Sequence, residues 1–120
     1  YNCALNPLGA IFGVCYGELA KNNNSRDIME KIIKEIFCVM KKSGYMTYWE
    51  NENDYIRDFY EKILPPTYDH EASMLQDINS KKLTEIDYLN GAIVKLGKKY
   101  DVEISINDMI VKMIKFIESK

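Results

Sequence analysis

The chain has 120 residues, about one domain's worth, which is enough to bury roughly two-thirds of its unfolded surface without disulfide staples. Lys+Arg number 16 against 18 Asp+Glu, giving a net charge of -2 with no acidic or basic tail, so neither nucleic acid nor a membrane surface is an expected partner. No apolar run approaches the roughly 18 residues a membrane span needs, and no basic-then-apolar leader opens the chain.

Nearly every stretch carries helical periodicity, and none keeps the two-residue alternation of a strand over a strand's length. The expected class is therefore all-α, with five or six helices. Asn6-Pro7 reads as a helix restart, because Asn caps and Pro suits a first turn. Leu8, Ile11, Phe12, Cys15 and Leu19 would then follow along one side. Residues 22–24 read as a turn, after which Ser25 would cap a second helix. Ile28, Met29, Ile32, Ile33, Ile36, Phe37 and Met40 give that helix a broad buried face, and Gly44 closes it. Tyr45, Tyr48 and Trp49 read as aromatic packing over the connection.

A third helix is expected from about Asn53 through Tyr55, Ile56, Phe59, Tyr60 and Ile63, ended by Pro65 and Pro66. Residues 67–72 are loop-like, and 73–78 suit one or two helical turns. Thr84 with Asp87 resembles a capping box for a helix through Ile86, Leu89, Ile93 and Leu96. Ser105 with Asp108 repeats the device before Ile106, Met109, Ile110, Met113, Ile114 and Ile117, a stripe read as core. No internal repeat or low-complexity segment is evident. The chain opens at Tyr1 without a Met and is densely patterned from Asn2 onward, so an upstream segment is expected.

The three cysteines, Cys3, Cys15 and Cys38, form no CxxC pair. Cys15 and Cys38 fall in apolar stretches, where a free thiol reads as a small buried hydrophobe, and a reducing, cytoplasmic compartment is expected. His70, the only histidine, lies between Asp69 and Glu71 and reads as a solvated loop residue, since a metal site would need more ligands. No glycine-rich phosphate loop follows a strand. Asn2 and Asn6, four apart, would share a helical face if their segment is helical. Taken alone, Asn6 and Ser73 read as caps, and Glu85 as a first-turn carboxylate complementing a helix dipole.

Two segments together resemble the ketopantoate reductase family. The run Asn2-Cys3-Ala4-Leu5-Asn6-Pro7-Leu8-Gly9-Ala10-Ile11 is similar to that family's NPxxA-type segment. The runs Ala72-Ser73-Met74-Leu75-Gln76-Asp77 and Thr84-Glu85-Ile86-Asp87-Tyr88-Leu89-Asn90-Gly91 are similar to its SMLQD and TEID signatures, in matching order and separation. The resemblance implies that residues 1–120 are a helical, substrate-binding C-terminal domain like those of 6-phosphogluconate-dehydrogenase-like reductases. It further implies an N-terminal Rossmann domain, absent from this chain, that holds most of NADP(H). The implied reaction is reduction of 2-dehydropantoate to pantoate on the way to pantothenate and coenzyme A. The domain alone is then expected to be inactive.

By the same resemblance the proton donor is a lysine three residues upstream of Tyr1, spaced by four from Asn2, and Asn2 from Asn6. Asn2 and Asn6 would bind substrate oxygens, and Ser73 with the loop from His70 would hold the carboxylate. Glu85 is the implied catalytic and cofactor-contacting carboxylate, helping to set the lysine's charge. Asp77 reads as a structural hydrogen-bonder. The resemblance also leaves room for a homodimer. Three departures stand out: Tyr16 replaces an Asn, Lys81-Lys82-Leu83 replaces Gly-Arg-Pro, and Ile106 replaces a Pro. If the glycine's position demands a positive φ, Lys81 is strained. Tyr16 favours a rival substrate, another small 2-oxo acid. A non-catalytic helical oligomerisation or binding module is the alternative of another class.

Overall fold

The computed structural model describes residues 2–44 and 51–120, so the cluster of Tyr45, Tyr48 and Trp49 lies outside the described residues. Among the described residues the chain forms seven α-helices and no strand. They are α1 (Asn2–Phe12), α2 (Tyr16–Lys21), α3 (Asn23–Ser43), α4 (Glu52–Asp58), α5 (Ser73–Asn79), α6 (Asn90–Lys99) and α7 (Ser105–Glu118). The all-α class is as expected. The helix count exceeds five or six because the first apolar stripe is two helices: Gly13 takes φ 66 and breaks the chain between α1 and α2. That break leaves Phe12 and Cys15 exposed rather than buried. Cys38 is also exposed, because it points away from the α3 face that buries Met29, Ile32 and Ile33. The expectation of buried Cys15 and Cys38 thiols is corrected accordingly.

Helix α1 is the central element, buried continuously from Ala4 to Ala10 and packed by α2, α3, α5 and α7. A helix apolar on all sides belongs inside. Asn6-Pro7 does not start it, because α1 is already helical from Asn2 and Pro7 lies within it. Pro7 has no N–H for the Cys3 carbonyl one turn earlier. The side-chain amide of Asn90 supplies that bond, donating from Nδ2 to the Cys3 oxygen at 3.0 Å. Nδ2 also donates to Asn107 Oδ1 at 2.9 Å. Asn90 and Asn107 are both fully buried, so this polar link crosses the core from α1 to α6 and α7.

Helix ends depend on distant groups more than local spacing suggests. Asn22, not Ser25, caps α3, accepting from Asn24 N–H, while Ser25 Oγ turns back to the Leu19 and Asn22 carbonyls. Gly44 closes α3 at φ 83, as expected, its N–H reaching Lys41 and Met40 carbonyls. Helix α4, the helix expected from about Asn53, continues into a π-helical turn, Phe59–Ile63, before Pro65. Such a turn shifts bonding to i+5, here Leu64 N–H to the Phe59 carbonyl.

Neither expected capping box forms. Thr84 accepts from Ile86 N–H, but the turn that follows is a short 3-10 helix, Ile86–Tyr88, and α6 starts only at Asn90. Ser105 makes no cap. The free N–H groups of Ile106 and Asn107 are taken by Glu35 of α3, at 2.9 Å each. A proline at position 106 would forgo one of these bonds, which accounts for Ile106. The stripe of α7 is only half core: Ile110 and Ile114 are buried, whereas Met109, Met113 and Phe116 are exposed.

Candidate functional site

Three segments converge on one face of the domain. The first is α1, where Asn2 and Asn6 stand one helical turn apart on the same side. The second is the loop 68–72 leading into α5. The third is the turn that carries Glu85. Between them lies an open cleft of about 430 Å³ lined by Asn2, Asn6, His70, Ser73 and Glu85. Tyr16, Glu71 and Gln76 complete its wall. All five residues nominated from the sequence thus meet in one place, although they come from positions 2 to 85.

Local packing explains the convergence. Gly9 lets α1 approach the start of α5: a Cβ there would stand 2.9 Å from Ala72 Cβ, which no ordinary contact allows. Across this contact Asn6 Oδ1 accepts the Met74 N–H at 3.1 Å, and its Nδ2 lies 3.3 Å from Ser73 Oγ. Asn6 Oδ1 also lies 3.4 Å from Ser73 Oγ, so both ends of the amide face the Ser73 hydroxyl. Asn6 is a cap after all, for α5 rather than for its own helix.

The loop is strapped down by backbone bonds. Tyr16 N–H donates to the His70 carbonyl at 3.0 Å, and Gly17 N–H to the Tyr68 carbonyl at 2.9 Å. Gly17 is needed there, since a Cβ would come within 3.0 Å of that Tyr68 oxygen. His70 is therefore held by its main chain while its side chain stays exposed at the cleft. Tyr16 is buried in the wall, so its bulk shapes the floor of the cleft.

Glu85 is exposed between two anchors. Thr84 is tied to Glu118, from its N–H at 2.8 Å and its hydroxyl at 2.5 Å, and Ile86 is fully buried. Its carbonyl accepts from Tyr88 and Leu89 N–H groups. Since α6 begins five residues later, Glu85 is not the first-turn dipole carboxylate that its local sequence suggested. Glu85 and Asp77 also line an inner recess beside Asn6, Ser73 and Met74.

Chemically the cleft offers amide donors from Asn2 and Asn6, a hydroxyl from Ser73, an imidazole from His70 and acceptor oxygens from Glu85 and Glu71. This suits a small, oxygen-rich ligand. Among the described residues there is no strand followed by a glycine turn of the kind that cradles a dinucleotide's phosphates. Glu71 and Gln76 line the cleft without having been singled out by the sequence reading. Gln76 was discoverable, because it follows Ser73 by three on α5 and so shares its face.

A family model described as ketopantoate reductase PanE/ApbA, C terminal, matches residues 1–118. A 2-dehydropantoate 2-reductase of Aquifex aeolicus is 50% identical over 115 residues, covering 96% of this chain and 37% of that protein. A ketopantoate reductase structure from Ralstonia eutropha JMP134 superposes with a TM-score of 0.83 at 30% identity, covering 98% of this chain and 38% of that one. A D-mandelate dehydrogenase in ternary complex with NADH and anilino(oxo)acetate superposes with a TM-score of 0.86 at 31% identity, with coverage of 98% and 38%. The chain thus spans little more than a third of the length of the relatives it matches.

Proposed function

The chain belongs to the ketopantoate reductase C-terminal family, and we propose that it forms the 2-oxo-acid side of a nicotinamide-dependent reductase. The substrate class is a small 2-oxo acid, and 2-dehydropantoate, giving pantoate, is the first candidate. The observation that carries this reading is the meeting of Asn2, Asn6, His70, Ser73 and Glu85 in one cleft. A nucleotide-binding N-terminal portion is the proposed partner across that cleft.

In this reading the Asn2 and Asn6 amides donate to substrate oxygens, and Ser73 with His70 receives the carboxylate. These bonds fix the C2 carbonyl in one orientation, and positioning of this kind contributes a large share of catalysis. Reduced nicotinamide, held mainly outside this chain, supplies the hydride. As hydride adds to C2, the electrons of the carbonyl π bond move to oxygen, and the alkoxide takes a proton from a donor nearby. The resemblance assigns that donor to a lysine one helical turn before Asn2. Glu85 lines the same cleft as Asn2, and in this reading its carboxylate stabilises the lysine's ammonium and accepts from a cofactor hydroxyl or amide.

A second substrate in the same class is favoured by Tyr16, whose buried ring occupies the cleft wall, and by the similarity to a D-mandelate dehydrogenase in ternary complex with NADH and anilino(oxo)acetate. The test is oxidation of NADPH, and separately NADH, by the reductase that carries this domain, with 2-dehydropantoate beside a panel of 2-oxo acids. Preference for 2-dehydropantoate supports the first reading. Preference for a bulkier or aromatic acid supports the second, and no turnover with any acid, from folded protein, rejects both.

A further inference from the structure

Asn90 spends a buried amide in an unusual way. It is fully buried, and its Oδ1 has no partner, the one such side-chain atom among the described residues. Leaving a buried acceptor unpaired is unfavourable, so the value of Asn90 must lie in its two donors. One N–H reaches the Cys3 carbonyl, the other Asn107 Oδ1. Asn107 is fixed in turn by its own Nδ2, which donates to Glu35 Oε1 at 2.8 Å. The chain of bonds therefore runs from α3 through α7 and α6 to the first turn of α1.

Its endpoint matters. The Cys3 carbonyl is freed by Pro7 and belongs to the residue immediately after Asn2, on the turn between Asn2 and Asn6. At the other end, Asn90 directly follows the short segment that begins with Glu85, whose carbonyl accepts from the Tyr88 and Leu89 N–H groups across the 3-10 turn. One side chain thus joins the two walls of the cleft, the α1 wall bearing Asn2 and the wall bearing Glu85.

We propose that Asn90 is a positioning residue for the cleft, a clamp that sets the separation of Asn2 and Glu85 through the carbonyl that Pro7 leaves open. The proposal rests on the reductase reading above. A merely structural Asn90 would serve only to satisfy the Cys3 carbonyl, and the two roles make different demands. Pro7→Ala restores an N–H that can bond Cys3 within α1, which relieves the carbonyl without rejoining the walls.

The experiment compares Asn90→Ala with Asn90→Ala/Pro7→Ala in the reductase that carries this domain. Asn90→Ala is expected to lower Tm and to cut kcat/KM by about tenfold to a hundredfold, the scale of a misplaced reacting group. Adding Pro7→Ala is expected to return part of the lost Tm while kcat/KM stays low. Recovery of kcat/KM in step with Tm would overturn the clamp, as would an Asn90→Ala enzyme with unchanged kinetics. Deuterium exchange at residues 2–6 and 85–89 is read on the same variants. If the parent turns over no 2-oxo acid, the reductase reading fails. Faster exchange in both segments of the double variant would still support the clamp, and unchanged exchange in either would overturn it.

Discussion

Replacing Glu35 by alanine should destabilise the domain as much as loss of a core methyl cluster, although Glu35 is a charged residue on the rim of α3. Its carboxylate accepts from Ile106 N–H at 2.9 Å, from Asn107 N–H at 2.9 Å and from Asn107 Nδ2 at 2.8 Å. A net hydrogen bond to a charged group contributes about 1.5–3 kcal/mol, and loss of a helix cap costs about 0.5–2 kcal/mol. Glu35 is only half-buried, so water recovers part of this, and the expected loss is about 3 kcal/mol. With an unfolding entropy near 0.25 kcal/mol per kelvin for 120 residues, Tm should fall by about 12 °C. The assay is chemical and thermal denaturation followed by helical circular dichroism, with Ser105→Ala as the companion. Ser105 makes no cap bond, so its variant should stay within about 0.5 kcal/mol of the parent. A near-neutral Glu35→Ala, or a Ser105→Ala that costs as much, would refute the reasoning.

Lys81 holds φ 57 at the end of α5, where Lys82 N–H closes back on the Asp77 carbonyl at 2.8 Å. Relief of left-handed strain, about 1–2 kcal/mol, exceeds the entropy cost of glycine, about 0.5–1 kcal/mol, so Lys81→Gly should stabilise modestly in a urea titration. A destabilised Lys81→Gly would show that the strain is not real. Thiol labelling should divide the cysteines: Cys15 and Cys38 are exposed and react first, whereas burial pushes the Cys3 thiol up, leaving little thiolate at pH 8. The slow thiol should speed up as pH rises, and mass spectrometry that finds Cys3 labelled first would contradict its placement.

What the sequence made legible was mostly local. Gly44 closes α3, the prolines at 65 and 66 end the third helix, and 73–78 is helical, because each depends on neighbours within a turn. Long-range capping was invisible: Thr84 is held by Glu118 and α7 by Glu35, partners 34 and 71 residues away, and no short motif encodes them. Local capping-box spacing therefore pointed to the wrong groups. Pro7 misled for a related reason. The Cys3 carbonyl it leaves open is met by Asn90, 87 residues beyond Cys3, so the helix runs through a residue that ordinarily ends one. The candidate site was legible through resemblance. Periodicity alone explained Asn6, Ser73 and Glu85 as helix ends, and Glu85 heads only a short 3-10 turn rather than an α-helix.

The measurement closest to the central claim, that this cleft holds the 2-oxo acid, is the kinetics of Ser73→Ala. Ser73 is exposed, and its hydroxyl touches only Asn6, so Tm should be unchanged. Loss of a hydrogen bond to a carboxylate, about 1.5–3 kcal/mol, should raise KM for the acid about tenfold to a hundredfold, with the KM for nicotinamide cofactor unmoved. An unaltered KM for every acid the enzyme reduces would contradict the account and place the substrate elsewhere.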